Sequence, residues 1–316
     1  MISKNLDLIV KNADEVFLLD LSWHLHRNWH IFKWMSAGDN GLGRPTGHIY
    51  GILNTIQSIK EKNPKAVIIL CKDGVPIERN DMFNSVESSY KEGRPELEFN
   101  FYDDVPVIVA LSYMVPGVYL AYDPCKEADD IMYALAKQTE EISEAKIYIF
   151  SGDDDLLQGI TDRIKVIRKF EGKGDIEEID NNYILTDETM LKKFHGVDSH
   201  HLPYYRCIVG DKSDKVPGIP RFPREFASRI AKSCEKFGDI YNFKGPLSKT
   251  EQKYYDMLLS SDWKSVIEMN YNMMKLTSDI DVPLSRKKVN VENTVLIIRK
   301  YKLSKFEKYV KSFNWL

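Results

Sequence analysis

Apolar residues gather in five short runs, at 16–19, 66–70, 118–122, 147–150 and 164–167, and most of these runs are continuous rather than alternating. A strand that is apolar at every residue is covered on both faces, the condition of a parallel sheet lying between helical layers. Between the runs the spacing lengthens to that of a helix. In 46–62, Ile49, Ile52, Leu53, Ile56 and Ile59 recur three and four residues apart, and Asn63-Pro64 ends the pattern. Residues 105–114 are apolar enough for a packed helix. Pro124-Cys125-Lys126-Glu127-Ala128-Asp129-Asp130 opens another, which continues through Ile131, Leu135 and Ala136. Strands alternating with helices predict an α/β core built on a parallel sheet.

The pattern changes near residue 185. Beyond it little strand signal remains, and 187–194, 223–237, 248–259, 264–275 and 302–310 read as helices. The expected organisation is an α/β core over 1–185 followed by a mainly helical region over 186–316. Within the core, residues 79–104 begin with a polar stretch poor in aliphatic side chains that carries Arg79, Lys91 and Arg94.

Composition narrows the class only a little. With 43% hydrophobic and 29% charged residues among 316, the chain reads as an ordinary globular protein. Its first twenty residues mix charges among apolar side chains without a signal-peptide core, and no run is long enough to cross a membrane, so the cytoplasm is the expected location. Cys71, Cys125, Cys207 and Cys234 are scattered without close pairing, which suits reduced thiols better than a disulfide framework or a zinc site. His24, His26 and His30 lie near Trp23 and Trp29, where packing is a better reading than metal ligation.

Charge changes the picture more. The predicted strands end in acids: Asp20 closes the first and Asp73 stands three residues after Leu70. Glu127, Asp129 and Asp130 follow the third, and Asp153 and Asp155 follow the fourth. Any one of them has an ordinary explanation as a helix cap, a turn residue or a favourable charge at a helix start. Together they are harder to explain, because the carboxyl ends of parallel strands share one rim. Carboxylates crowded there repel one another and raise each other's pKa. A divalent cation removes that cost, and an all-oxygen donor set favours Mg²⁺, or Mn²⁺ as a substitute, over zinc.

A second acidic set, Asp211 and Asp214 in Gly210-Asp211-Lys212-Ser213-Asp214-Lys215, would point both carboxylates one way if it formed a helical turn. Two ions roughly 4 Å apart sharing such acids suit displacement at a phosphodiester. The net charge of −3 does not suggest a polyanion partner, but setting those nine acids aside leaves 38 acids against 44 bases. Arg79, Lys91, Arg94, Lys212, Lys215, Arg221, Arg224 and Arg229 are then candidates for holding phosphates along a strand or duplex.

Five motifs in order carry a resemblance: Leu18-Leu19-Asp20-Leu21-Ser22; Cys71-Lys72-Asp73-Gly74; Glu127-Ala128-Asp129-Asp130; Ser151-Gly152-Asp153-Asp154-Asp155-Leu156-Leu157-Gln158; and Gly210-Asp211-Lys212-Ser213-Asp214-Lys215-Val216-Pro217-Gly218-Ile219-Pro220. Over roughly 15–235 the chain resembles the 5′–3′ exonucleases of the flap endonuclease family, with a PIN-like nuclease core. Ser89-Tyr90-Lys91-Glu92-Gly93-Arg94 is similar to the family's Tyr-Lys-x-x-Arg stretch. The resemblance implies one ion among Asp20, Asp73, Glu127, Asp129 and Asp153. It implies a second among Asp153, Asp155, Asp211 and Asp214, with Asp130 bound directly or through water. It makes Asp154 a bystander, and assigns Arg79, Lys91 and Arg94 to the scissile phosphate or the 5′ strand.

The family's helix–three-turn–helix module falls at about 205–238. Its hairpin here, Gly218-Ile219-Pro220-Arg221-Phe222-Pro223, lacks the later glycines, so Arg221 and Arg224 replace the usual ion-mediated phosphate contact in this expectation. That departure, with Lys215 where Asn is usual and a short arch at 79–104, resembles the branch that includes the ribonuclease H of T-even phages. The implied activity is a monomeric, Mg²⁺-dependent 5′–3′ exonuclease and flap endonuclease with ribonuclease H action. Its substrates would be duplex, flap or forked DNA and RNA–DNA hybrid, with a replication clamp or single-strand-binding protein as partner. A PIN-type ribonuclease acting on structured RNA and a non-catalytic DNA junction-binding protein stand as alternatives.

Overall fold

Residues 1–37, 43–75, 100–168, 184–212 and 214–307 are described by the computed structural model of the chain. The five apolar runs form β1 (Glu15–Asp20), β2 (Val67–Lys72), β3 (Val118–Tyr122), β4 (Lys146–Phe150) and β5 (Ile164–Ile167). Two short strands, β6 (Ile184–Leu185) and β7 (Leu284–Ser285), complete a seven-stranded sheet of order β6-β5-β4-β1-β2-β3-β7. The inner strands are parallel and both edges are antiparallel. The sheet is therefore mixed, where an all-parallel one was expected. Strands of two residues carry too little pattern to be read from sequence.

The pleat explains the continuous apolar runs. Val16 and Leu18 of β1 join Ile69, Ile147 and Ile149 in the core on one face, while Phe17 and Leu19 join Ile68, Leu70, Tyr148 and Phe150 on the other. The first face is covered by α5 (Ala128–Ile142) together with α7 (Leu202–Val209), α8 (Arg224–Ala231) and α10 (Ser261–Met274). The second is covered by α2 (Leu21–Phe32), α3 (Gly47–Lys62), α4 (Val105–Ser112) and α11 (Val291–Lys300). The chain also forms α1 (Leu6–Val10), α6 (Asp187–Lys193) and α9 (Lys249–Leu259).

The helix expected over 223–237 ends instead at Ala231, and a 3-10 turn follows at Phe237–Asn242. The one expected from 264 starts three residues earlier. The one expected over 302–310 falls partly outside the described residues.

The C-terminal region packs back on the sheet. Gln138 of α5 donates to the carbonyls of Ser278 and Ile280, each at 2.8 Å. Arg286 donates to the carbonyls of Tyr113, Val115 and Val118. Cys71, Cys207 and Cys234 are buried and all four cysteines are free thiols. His24 is buried with its ring edge-on to Phe150, and His26 bonds the Tyr102 hydroxyl at 3.0 Å, so both act in packing.

Candidate active site

The strand order places β1 at the point where the chain divides: β2 and β3 build to one side, β4 and β5 to the other. A crevice opens outside the carboxyl ends of the strands at such a point. Asp20, the last residue of β1, is also the N-cap of α2. Its buried carboxylate accepts from the Trp23 amide at 2.9 Å and from Ser151 Oγ, just beyond neighbouring β4, at 2.7 Å.

Asp73 directly follows β2. It accepts from Ser22 Oγ and, at 2.8 Å, from the amide of Ala128, the first residue of α5. Glu127 caps α5 in a reciprocal box with Asp130, whose carboxylate accepts from the Glu127 amide at 3.3 Å. Beyond β4, Ser151 Oγ accepts from the Asp153 amide at 3.2 Å, and Asp153 Oδ1 accepts from the Asp155 amide at 2.7 Å. Gly152 is required there, because a Cβ would lie 2.2 Å from Trp23 Nε1.

Electrostatics ties these segments together. Burial, with the charges of Asp73 and Asp153, pushes the Asp20 carboxyl up to about 7 against the hydrogen bonds from Trp23 and Ser151. Asp129 is raised well above the usual carboxylate range by loss of solvent and then by Asp153, Asp20, Asp73 and Glu127. Asp20, Asp73, Glu127, Asp129 and Asp153 thus act on one another across four chain segments. Asp154 does not join them. Lys193 at 2.5 Å and Arg168 hold it, and although burial opposes the shift, they keep its carboxyl below the usual range.

Among the described residues the second acidic set lies outside the helices. It is a loop after α7, closed by backbone bonds from Asp211 N to Val216 O (3.0 Å) and from Val216 N to Asp211 O (2.7 Å). Gly210 turns the chain with φ 72°, and a Cβ on it would meet Gly218 N at 2.4 Å. Asp211 is joined to Asp155 through one side chain. Arg206, 6% exposed on α7, pairs with Asp155 at 3.2 Å through Nε and with Asp211 through Nη2. Asp214 is half-buried in the same loop.

A cavity of about 320 Å³ opens against this pair, lined by Asp153, Asp154, Arg206, Asp211, Lys212 and Arg224 among others. Lys212, Lys215, Arg221 and Arg224 are exposed. Arg229 is committed elsewhere: it pairs with Glu251 at 2.6 Å and donates to the Pro246 carbonyl. Arg79, Lys91 and Arg94 lie outside the described residues. Among the described residues no group of three or more carboxylate, His or Cys side chains stands arranged to hold a metal ion. Asp20, Asp73, Asp153 and Asp211 are instead held within the protein, by Ser22, Ser151, backbone amides and Arg206.

Three residues of the site were not anticipated. Ser22 and Ser151 sit inside quoted motifs, but nothing in a serine's sequence position announces which carboxylate it serves. Arg206 had a readable signal: it is the only charge in Tyr204-Tyr205-Arg206-Cys207-Ile208-Val209, five residues before Asp211. A lone charge in a buried run needs a partner.

Acids drawn from several strand ends at a topological switch point, with basic residues around the adjoining cavity, define an α/β enzyme equipped for phosphodiester chemistry. Comparison with known proteins gives that class its family. Residues 15–195 match the family described as 5′–3′ exonuclease, N-terminal resolvase-like domain. The chain is 28% identical to a 5′–3′ exonuclease of Aquifex aeolicus (strain VF5) over 293 residues, 92% of each chain. Its fold is similar to that of T5 5′-exonuclease with bound divalent zinc ions (TM-score 0.59, 15% identity, 94% and 98% of the two chains). It is also similar to the catalytic core of Rad2 in complex with a DNA substrate (TM-score 0.52, 14% identity, 97% and 93%). The chain belongs to the 5′–3′ exonuclease family and is a nuclease.

Proposed function

We propose that this nuclease is a divalent-cation-dependent 5′ nuclease that hydrolyses phosphodiesters at 5′ ends, flaps and forks of DNA, and in RNA–DNA hybrid, removing primers and flaps during replication. The carrying observation is the group Asp20, Asp73, Glu127, Asp129 and Asp153, in which burial first and mutual repulsion second raise Asp20 and Asp129. An all-oxygen donor set kept partly protonated by burial and crowding fits a hard cation such as Mg²⁺ or Mn²⁺. Asp20, Asp73, Glu127, Asp129 and Asp153 would hold one ion, and Asp153, Asp155, Asp211 and Asp214 a second, with Asp130 at the margin. Bound ions would lower the pKa of water at the site and offset negative charge on the phosphate being cleaved.

The protein's own groups do the orienting. Ser151 bridges Asp20 to the Asp153 turn, and the α5 amide of Ala128 fixes Asp73. Lys212, Lys215, Arg221 and Arg224, exposed around the α7–α8 loop, supply phosphate contacts in a modified helix–three-turn–helix module. Arg79, Lys91 and Arg94 are assigned to the scissile phosphate and 5′ strand. Arg229 belongs to the same basic set by sequence, although its pairing with Glu251 gives it a structural task first. The reading extends to a monomer in the cytoplasm that meets a clamp or single-strand-binding protein.

The test is cleavage with Mg²⁺ of 5′-labelled and 3′-labelled hybrid, nicked duplex, 5′ flap and single-stranded RNA of matched sequence, by the native protein and by Asp153→Ala. Short 5′ products from hybrid and flap, absent with the variant, are expected. Cleavage confined to single-stranded RNA would assign a PIN-type ribonuclease instead. Tight junction binding without products from either protein would leave a binding module.

A further inference from the structure

A second cavity, of about 650 Å³, lies between α4, α11 and β3. Val105, Pro106, Val109 and Ala110 of α4, with Tyr113 just beyond it, form one wall, and Ile297 of α11 and Leu120 of β3 complete an apolar groove. Its covering is incomplete: Pro106 is exposed, and Val109, Ala110, Leu120 and Ile297 are half-buried. A groove walled by two helices in this way can take an apolar side chain of another chain.

Its rim is basic. Lys72 stands at the end of β2 with its ammonium 4.0 Å from the centre of the Tyr122 ring, and Lys287 and Lys288 lie exposed in the turn before α11. None of the described residues that line the groove is acidic. Most of the uncharged polar groups there are committed within the chain. The Tyr102 hydroxyl bonds His26 at 3.0 Å, the Tyr113 hydroxyl lies 3.2 Å from Ser285 Oγ, and Asn290 Oδ1 accepts from the Asn293 amide at 3.0 Å. Thr294 Oγ1 donates to the Asn290 carbonyl at 2.8 Å. Little is left to read the edge of a base, whereas an apolar anchor flanked by carboxylates matches both floor and rim.

We propose that this groove binds an acidic peptide segment of a partner protein, with an apolar side chain of the segment between α4 and α11 and its carboxylates on Lys287 and Lys288. The N-terminus of α11 lies at the same rim and adds its partial positive charge to that of the lysines. The inference is independent of the divalent-cation reading, since none of the acids assigned to that site lines the groove. A peptide without charge forfeits the rim and one without an apolar residue forfeits the floor, so affinity requires both.

The experiment measures fluorescence anisotropy of fluorescein-labelled Asp-Glu-Asp-Leu-Glu-Phe with the native protein and with the double variant Lys287→Glu, Lys288→Glu. Saturable binding is expected, weakened about tenfold or more by the charge reversal. Replacing the Leu and Phe of the peptide by Ser should weaken it by a similar factor. Should the variant fail to fold, the native protein still answers: the methyl resonances of Val109 and Ile297 should move as the peptide is added, while those of Ile160, on the opposite face of the sheet, stay. No saturable binding, binding that either replacement leaves unchanged, or movement confined to other methyls would overturn the proposal. An oligothymidylate that displaces the peptide and moves the Val109 and Ile297 methyls would assign the groove to nucleic acid and overturn it as well.

Discussion

Asp20→Asn isolates the electrostatic cost of the acid rim. The Asp20 carboxyl moves from 3.8 to about 7 on folding, because burial and then Asp73 and Asp153 disfavour its charge. The sign follows from which state releases the proton first. Above pH 4 the unfolded chain ionises while the folded protein does not, so stability falls as pH rises and levels off above about 7. The full loss is about 4 kcal/mol at about 1.4 kcal/mol per pKa unit. Between pH 5 and pH 8 the part lost is about 2–3 kcal/mol.

Asparagine does not titrate, so the stability difference between Asp20→Asn and the native protein should move by that amount in the variant's favour between the two pH values. Any fixed cost of altering the bonds from Trp23 and Ser151 cancels in the comparison. The assay is urea unfolding in the presence of a chelator at pH 5 and pH 8. Saturating Mg²⁺ at pH 8 should then stabilise the native protein more than the variant. A difference that does not move with pH, or that moves against the variant, would refute the claim that Asp20 is ionised at a cost in the folded protein.

Three further outcomes follow from packing and pairing. Gly152→Ala forces a methyl against the Trp23 indole, and should cost about 1–3 kcal/mol in urea unfolding with a shift in tryptophan emission. Unchanged emission and stability would show that the turn does not pack as described. Asp104 is buried between Arg44 at 2.8 Å and His48 at 2.9 Å, whose bonds outweigh burial and hold its carboxyl below 3.8. Asp104→Ala should cost about 3 kcal/mol or more at pH 7. That deficit should shrink as pH falls through the carboxyl's folded value, and a deficit independent of pH would make the role steric. Arg229→Ala should lower thermal stability by loosening the 243–251 segment from α8, and Glu251→Ala should do so comparably, with non-additive effects in the double variant. Strict additivity would deny their coupling.

What could be read from sequence depended on whether a residue's role was local. The five inner strands were legible because burial on both faces leaves no polar alternation, and Asp20, Asp73 and Asp153 could be read as lying at one edge because each ends such a strand or follows it within three residues. Helix α7 was missed as an element of its own, since in Leu202-Pro203-Tyr204-Tyr205-Arg206-Cys207 the proline and the arginine interrupt any helical stripe. The edge strand β7 is defined only by a partner far away in the chain, so nothing local marks it. The same distinction holds inside the site. Motif order brought Asp155 and Asp211 into one set, but only the fold shows that a buried guanidinium stands between them. Read locally, Asp211-Lys212-Ser213-Asp214 is two acids one helical turn apart. In the structure the Asp211–Val216 bridge turns that stretch into a loop and Arg206 takes up Asp211. The outer subsite therefore cannot be treated as a second copy of the inner one. It is a pair of acids from two chain segments that one buried guanidinium already joins.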